Sequence, residues 1–216
     1  MEKQSQGGGA VHLAVKPMNM KTAAFKIVGT SPLVIHRFDE KIKRQFMDKI
    51  EKGSTPAGKK KHAAQNLDEL FERAKYIGET GGKRWEGFNA SALRCAMISA
   101  CRLVNFKMTL AKLSIVIIED GRDVADPSYA LVRINGKAER FDAVARTETG
   151  VAMLTIRPRY FPWSATAKIK FDADQFALQD IANLLARVGV QVGIGEGRND
   201  SKNSCGMGWG AFEVKG

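Results

Sequence analysis

The chain has 216 residues, with 34 Lys and Arg against 23 Asp and Glu, a formal net charge of +11 and an isoelectric point near 9.7. Such a surplus makes a polyanion the default class of partner. No apolar run is long enough to span a bilayer and the first residues lack a signal-peptide pattern, so the expectation is a cytoplasmic protein with no membrane partner. Cys95, Cys101 and Cys205 show no Cys-x-x-Cys spacing and are joined only by His12, His36 and His62, which argues for a reducing compartment and against a zinc site.

With 44% hydrophobic residues, one packed domain over 21–216 is expected, after a flexible N-terminal arm over 1–20. Thr22 to Gly29 reads as a first strand, closed by Thr30-Ser31-Pro32 before the apolar patch Leu33-Val34-Ile35. His36-Arg37-Phe38 follows. From Asp39 to Ala57, Ile42, Phe46, Met47 and Ile50 fall on one helical face, with Lys41, Lys43, Arg44 and Lys49 elsewhere. A basic loop carries Lys59-Lys60-Lys61, either a solvated charge run or a nucleic-acid contact. Leu67, Leu70, Phe71 and Ala74 then repeat at helical spacing towards Gly78 and the Gly81-Gly82 turn. Residues 39–82 thus read as a basic insertion of two helices.

Leu93, Ala96, Met97, Ala100, Cys101 and Val104 form one stripe, the clearest core helix. Asn89 or Ser91 can cap it, and a capped helix start also attracts anions, which makes Ser91 and Arg94 candidates for a phosphate contact as well as for structural roles. Leu113 to Ile118 has the continuous apolar character of a central strand buried on both faces. Ala130 to Ile134, Asn135-Gly136 and Lys137 to Phe141 spell a hairpin with a primed turn, part of an insertion over 120–150. A strand over Val151–Ile156 continues into Arg157-Pro158-Arg159-Tyr160-Phe161-Pro162-Trp163. This stretch reads as a platform on which bases stack and phosphates pair, or as an edge strand with core aromatics. Ala165 to Phe171 alternates as a strand, and Leu178, Ile181, Leu184, Leu185 and Val188 mark a second helix ending at Gly189.

The chain then enters its most distinctive stretch, Gly193-Ile-Gly195-Glu-Gly197-Arg198-Asn-Asp-Ser-Lys202-Asn-Ser-Cys-Gly206-Met-Gly208-Trp209-Gly210. Gly193, Gly195 and Gly197 permit close approach to the main chain. With Arg198, Lys202 and Trp209, the stretch suits a phosphodiester strand, although a plain hairpin has similar spacing. No Gly-Lys-Ser/Thr follows, and Arg198 stands where a dinucleotide fingerprint needs its third glycine, which excludes both common nucleotide-cofactor loops. No cofactor is expected. Trp209, Phe212 and Val214 read as a terminal strand. With the insertions removed, the order strand, helix, strand, strand, helix, strand gives an α+β, ferredoxin-like (RRM-like) βαββαβ core.

Three segments resemble the RAMP superfamily, the RRM-like proteins of CRISPR systems, in particular the backbone subunits that polymerise along guide RNA. Ser31-Pro32-Leu33-Val-Ile-His36 resembles the loop after the family's first strand. Phe88-Asn-Ala-Ser91-Ala-Leu93-Arg94 resembles its Ile-Pro-Gly-Ser-Ser-Leu-Arg/Lys start of the first helix, with Asn89-Ala90 in place of Pro-Gly. Gly193 to Phe212 resembles its C-terminal glycine-rich loop. The short chain is most similar to the small stand-alone relatives of phage and prophage genomes. The resemblance implies a homo-oligomer or head-to-tail filament along single-stranded RNA or DNA. It also draws attention to His36 and Asp39, near which other members carry a catalytic His or Asp.

The expected function is binding of single-stranded nucleic acid, RNA above all, through phosphate contacts. The candidate contacts are Arg198, Lys202, Arg94, Arg157, Arg159, His36, Arg37, Lys59, Lys60, Lys61, Gly193, Gly195, Gly197 and Trp209. The alternatives are a metal-independent endoribonuclease using His36, with Arg37 or Lys41 stabilising the phosphorane, and an interaction protein for an acidic partner.

Overall fold

The computed structural model describes residues 15–38, 47–48, 50–51, 66–146, 152–201 and 206–215. In chain order its elements are β1 (Met20–Gly29), β2 (Leu33–Val34), α1 (Leu67–Arg73), β3 (Tyr76–Thr80), β4 (Lys83–Asn89), α2 (Ala90–Ala100) running into a 3-10 turn (Cys101–Val104), α3 (Met108–Ser114), β5 (Ile115–Ile118), β6 (Gly121–Arg122), β7 (Ala130–Arg146), β8 (Ala152–Asp172), α4 (Leu178–Arg187) running into a π-helical turn (Val188–Val192), and β9 (Phe212–Lys215). The fold is α+β, with helices on an open antiparallel sheet whose main path is β3-β4-β7-β8-β1-β9.

The 21-residue β8 organises the sheet. Its first half pairs with β7, from Arg146↔Ala152 to Ile134↔Ala165, and its second half with β1, from Val28↔Ser164 to Met20↔Asp172. Beyond the end of β7, β5 takes over the same edge, Ile115↔Phe171 to Ile118↔Lys168. Because β9 pairs with β1, the order across this half is β9-β1-β8-β5. Alternation decides which face is covered: Phe25, Ile27, Ala165, Ala167, Ile169 and Phe171 turn towards the core, whereas Thr22, Ala24, Lys26, Thr166 and Lys170 turn to solvent. On the core face lie α2, which buries Leu93, Ala96, Met97 and Ala100, and α4, which buries Ile181, Leu184 and Leu185. Asn89 caps α2, its side chain accepting the Ser91 N–H at 2.9 Å.

Several elements differ from the sequence-based expectation. The helix containing Leu67, Leu70 and Phe71 stops at Arg73. Lys75 to Asn89 is then mostly a hairpin, β3–β4, turned by Gly81 and Gly82 at φ 57° and 74°. Two successive residues with positive φ make the primed turn that matches strand twist. The expected turn at Asn135-Gly136 does not form; β7 runs straight through it. Gly136 instead sits where β8 comes close, a Cβ there lying 2.9 Å from Pro162 O. The register steps from Gly136↔Trp163 to Ala138↔Tyr160, so β8 carries one more residue than β7 at Phe161-Pro162. Leu113 lies in α3 at 81% exposure, and β5 pairs with β8 alone and exposes Val116. It is therefore not a central strand buried on both faces. Of the helix expected over 39–57, residues 47–48 and 50–51 are helical, and Met47 and Ile50, expected on its apolar face, are exposed. The rest of that helix, the Lys59-Lys60-Lys61 loop and residues 1–14 of the N-terminal arm lie outside the described residues.

Candidate functional site

One cleft of about 500 Å³ is lined by residues from all three segments singled out above. His36 comes from the extended segment after β2, Phe88, Asn89 and Ser91 from the β4–α2 junction, and Gly195, Glu196, Arg198 and Asp200 from the glycine-rich loop. Helical spacing explains the α2 wall: Ser91, Cys95 and Ser99 lie four residues apart on the face opposite the buried stripe, and their small side chains leave the space open. Ala92 and Ala96 of the same helix also line it, and the buried Ile35, Tyr76 and Phe88 form its floor. The Tyr76 hydroxyl is pushed up to about 12, burial being the main cause and Tyr129 adding to it.

The glycine-rich loop is held in place by the fold's own chain. Glu196 N–H donates to Val34 O at 2.8 Å, Gly210 N–H to Pro32 O at 2.8 Å, and Met207 N–H to Gly197 O at 2.7 Å. Gly193, Gly195 and Gly197, together with Gly206, Gly208 and Gly210, have φ between 67° and 81°. A Cβ at Gly195 would overlap Val34 O, and one at Gly210 would overlap Ile194 O. The loop's main chain is thus closely approached by β2 and by the loop itself. Trp209 lies against Gly197 and meets Phe141 edge to face, ring centroids 5.4 Å apart. At the far side Asp200 is fixed to α2, accepting hydrogen bonds from the Ser99 hydroxyl and from Arg102 Nη2, the latter at 2.7 Å. The Ser99 hydrogen bond above all, then Arg102, holds its carboxyl below the usual range despite some burial.

Glu196 sits between two of the expected contacts. His36 Nδ1–H donates to Oε1 at 3.2 Å and Arg157 Nε–H to Oε2 at 2.9 Å. Burial pushes the Glu196 carboxyl up, but the hydrogen bond from His36 and the charge of Arg157 outweigh it and hold the group below the ordinary carboxylate value. Arg198 is half-buried and donates to Gly195 O at 3.1 Å. His36, Arg157 and Arg198 therefore gather around the loop, with an acidic residue among them that spacing alone did not single out.

Other candidates lie elsewhere. Alternation along the extended Ile35-His36-Arg37 segment sends Arg37 away from His36 into a second basin, where Nε donates to Asp123 at 2.8 Å with side chains only 6% and 1% exposed. Arg94 donates to Ile115 O at 2.8 Å and to Lys112 O, closing the end of α3. Arg159 pairs with Glu139 at 3.1 Å and stacks over Phe141 at 5.2 Å from the ring centroid. Of the two readings of Arg157 to Trp163, core aromatics hold for Tyr160 and Trp163, 0% and 2% exposed, while Phe161, at 50%, faces out; the strand is not an edge, because β8 lies between β7 and β1. The extra residue at Phe161-Pro162 resets the alternation, so side chains three apart both turn inward. Asp39, Lys41, Lys59, Lys60, Lys61 and Lys202 lie outside the described residues.

Glu196 and Asp200 are not among the expected site residues, and Phe141 is expected only as a hairpin strand residue. Glu196 and Asp200 flank Arg198 in the same loop, and their acidity within a basic stretch was the only available signal. Among the described residues no helix is long and apolar enough to cross a membrane. No family model and no curated protein sequence matches the chain.

Proposed function

We propose that the protein binds single-stranded nucleic acid, RNA in particular, with the phosphate backbone running through the cleft between the start of α2 and the glycine-rich loop. The observation that carries this reading is the convergence of the His36, Phe88–Ser91 and Gly195–Asp200 segments on one cleft in a chain of net charge +11. Arg198, with Lys202 in the same loop, is the principal phosphate contact, and His36 and Arg157 meet a neighbouring phosphate when Glu196 yields them. The capped N-terminus of α2 adds amide dipoles to the same wall. The half-buried Phe141–Trp209 pair borders the loop and offers a ring edge to a base.

We read β1, α2, β5, β8, α4 and β9 as the six elements of a ferredoxin-like, RRM-like core. In the order β9-β1-β8-β5, each β–α–β unit holds a strand of the other between its own two strands, the split arrangement that defines the plan. The remaining elements are then insertions. This supports the resemblance to the RAMP superfamily and, with it, assembly in copies along the strand. The test is binding of labelled single strands across a salt series. Affinity is expected to fall steeply with salt and to be weaker for duplex DNA; a flat response, or preference for the duplex, overturns the reading.

A second reading draws on the His36–Glu196 pair. A carboxylate at Nδ1 makes that nitrogen the donor and leaves Nε2 as the proton acceptor, the arrangement of an acid–base histidine. Cleavage yielding a cyclic phosphate end, lost in His36→Ala, would establish it. Intact RNA after incubation with the pure protein rejects it.

A further inference from the structure

The cleft lies on the helix-bearing side of the sheet, and among the described residues no helix covers the opposite face of β9, β1, β8 and β5, where Thr22, Ala24, Lys26, Thr166 and Lys170 are exposed. Cross-strand register places its side chains: Lys215 beside Lys26 and Lys26 beside Thr166, Thr22 beside Lys170 and Lys170 beside Val116, Ala24 beside Lys168 and Lys168 beside Ile118. Arg133, one residue before the Ile134↔Ala165 pair, continues the row at the β7 end and is exposed. Lys168 is neutralised by Asp120 at 2.7 Å and Lys215 by Glu213 at 2.6 Å. The side chains of Lys26, Lys170 and Arg133 reach no carboxylate among the described residues. Lys26 lies directly opposite Lys215, whose charge is already met by Glu213 on the same strand, so Lys26 is the cation of that pair left to meet an outside anion.

We propose that this face holds the sugar–phosphate backbone of a second nucleic-acid strand, distinct from the one in the cleft. This inference rests on the reading of the cleft given above. The residues between the cations, Thr22, Ala24, Ser164 and Thr166, are small, so a backbone can lie flat against the sheet. None of the residues between the cations, nor Val116, Lys168 or Ile118 beside them, carries an aromatic ring, so a strand lying over them is held by its phosphates and not by its bases. Protein contacts usually centre on large aromatic or Arg anchors, whereas the larger apolar side chains of this face are Met20, Val28, Val116 and Ile118. A sheet with its helices separates the two tracks, so two strands are brought onto one molecule, as strand pairing or exchange requires.

The test uses the full chain at physiological salt with two labelled strands of non-complementary sequence, one immobilised and saturated with protein, the other added in solution. The wild type is expected to capture the second strand. The variant with Lys26→Glu, Arg133→Glu and Lys170→Glu is expected to keep the first strand and lose the second, its residual second-strand capture falling less steeply with salt, by roughly 0.7 in the log–log slope per lost phosphate contact of a single strand. Lys83→Glu with Lys107→Glu and Lys112→Glu, which changes net charge equally away from this face, keeps both. If the wild type holds only the immobilised strand, or the first triple variant captures the second strand as well as the wild type does, this proposal falls and the cleft reading stands. Equal loss of both strands from the first triple variant, or displacement of the second strand by poly-glutamate as readily as by unlabelled strand, also overturns it. A wild type that retains no strand at all rejects the cleft reading and this inference together.

Discussion

Glu196 is the residue on which the cleft's electrostatics turn. Its carboxylate accepts from His36 and Arg157 in the positions a phosphate oxygen would take. Glu196→Gln is therefore expected to tighten strand binding: a phosphate about 6 Å from the removed charge gains roughly 0.7 kcal/mol in a water-like dielectric, about threefold in affinity. Weaker binding in that variant would mean that the carboxylate serves to position the two cations. Arg198→Ala with Lys202→Ala should weaken binding to all sequences alike and lower the salt slope by about one per phosphate contact, read from the same salt titration. Arg37 behaves differently. Arg37→Ala leaves Asp123 buried without its charged partner, which is expected to cost about 3–5 kcal/mol in urea denaturation.

At the scale of elements, the glycine-rich loop is a docked structure whose shape depends on positive φ and on the absence of Cβ atoms. Gly195→Ala, at φ 81° and against Val34 O, should destabilise the fold by more than about 1 kcal/mol. The tether at the other end titrates. Glu196 and Asp200 both have carboxyls held below their ordinary values of 4.5 and 3.8. Their stabilising contribution is complete above those values and is lost as pH falls through the lower folded-state ones. The thermal midpoint should therefore drop on acidification below about pH 4.5, and Asp200→Asn should flatten that drop; an unchanged profile would show that the tether adds nothing. The alternating segments and the stripe of α2 were legible because burial on one face imposes a period. The Asn135-Gly136 pair misled because the residues that suit a primed turn also suit a close approach beside a bulge, and only the partner strand decides between them. Lys75 to Asn89 hid its hairpin, since Tyr76, Gly78, Trp85 and Gly87 pack through Trp85 lying over Gly78 and Gly87, a pairing that single-strand periodicity cannot register.

At the scale of the molecule, the cleft is assembled from residues far apart in the chain. The glycine loop and the α2 start were visible as separate segments, but their meeting with His36 was not, because it depends on the isolated bridge Val34↔Glu196 and on the Ser99–Asp200 contact. The resemblance to strand-coating subunits adds an assembly prediction. Light scattering should show particles that grow with the length of an added single strand, with cooperative binding; independent binding of single copies would reject the filament. The cleft itself provides the most direct probe, because Cys95 is exposed on its α2 wall while Cys101 is buried. In a Cys205→Ser protein, alkylation of Cys95 should slow in proportion to the fraction of protein carrying a single strand. Tight binding of the strand with Cys95 alkylated at its original rate would contradict the placement of the strand in the cleft.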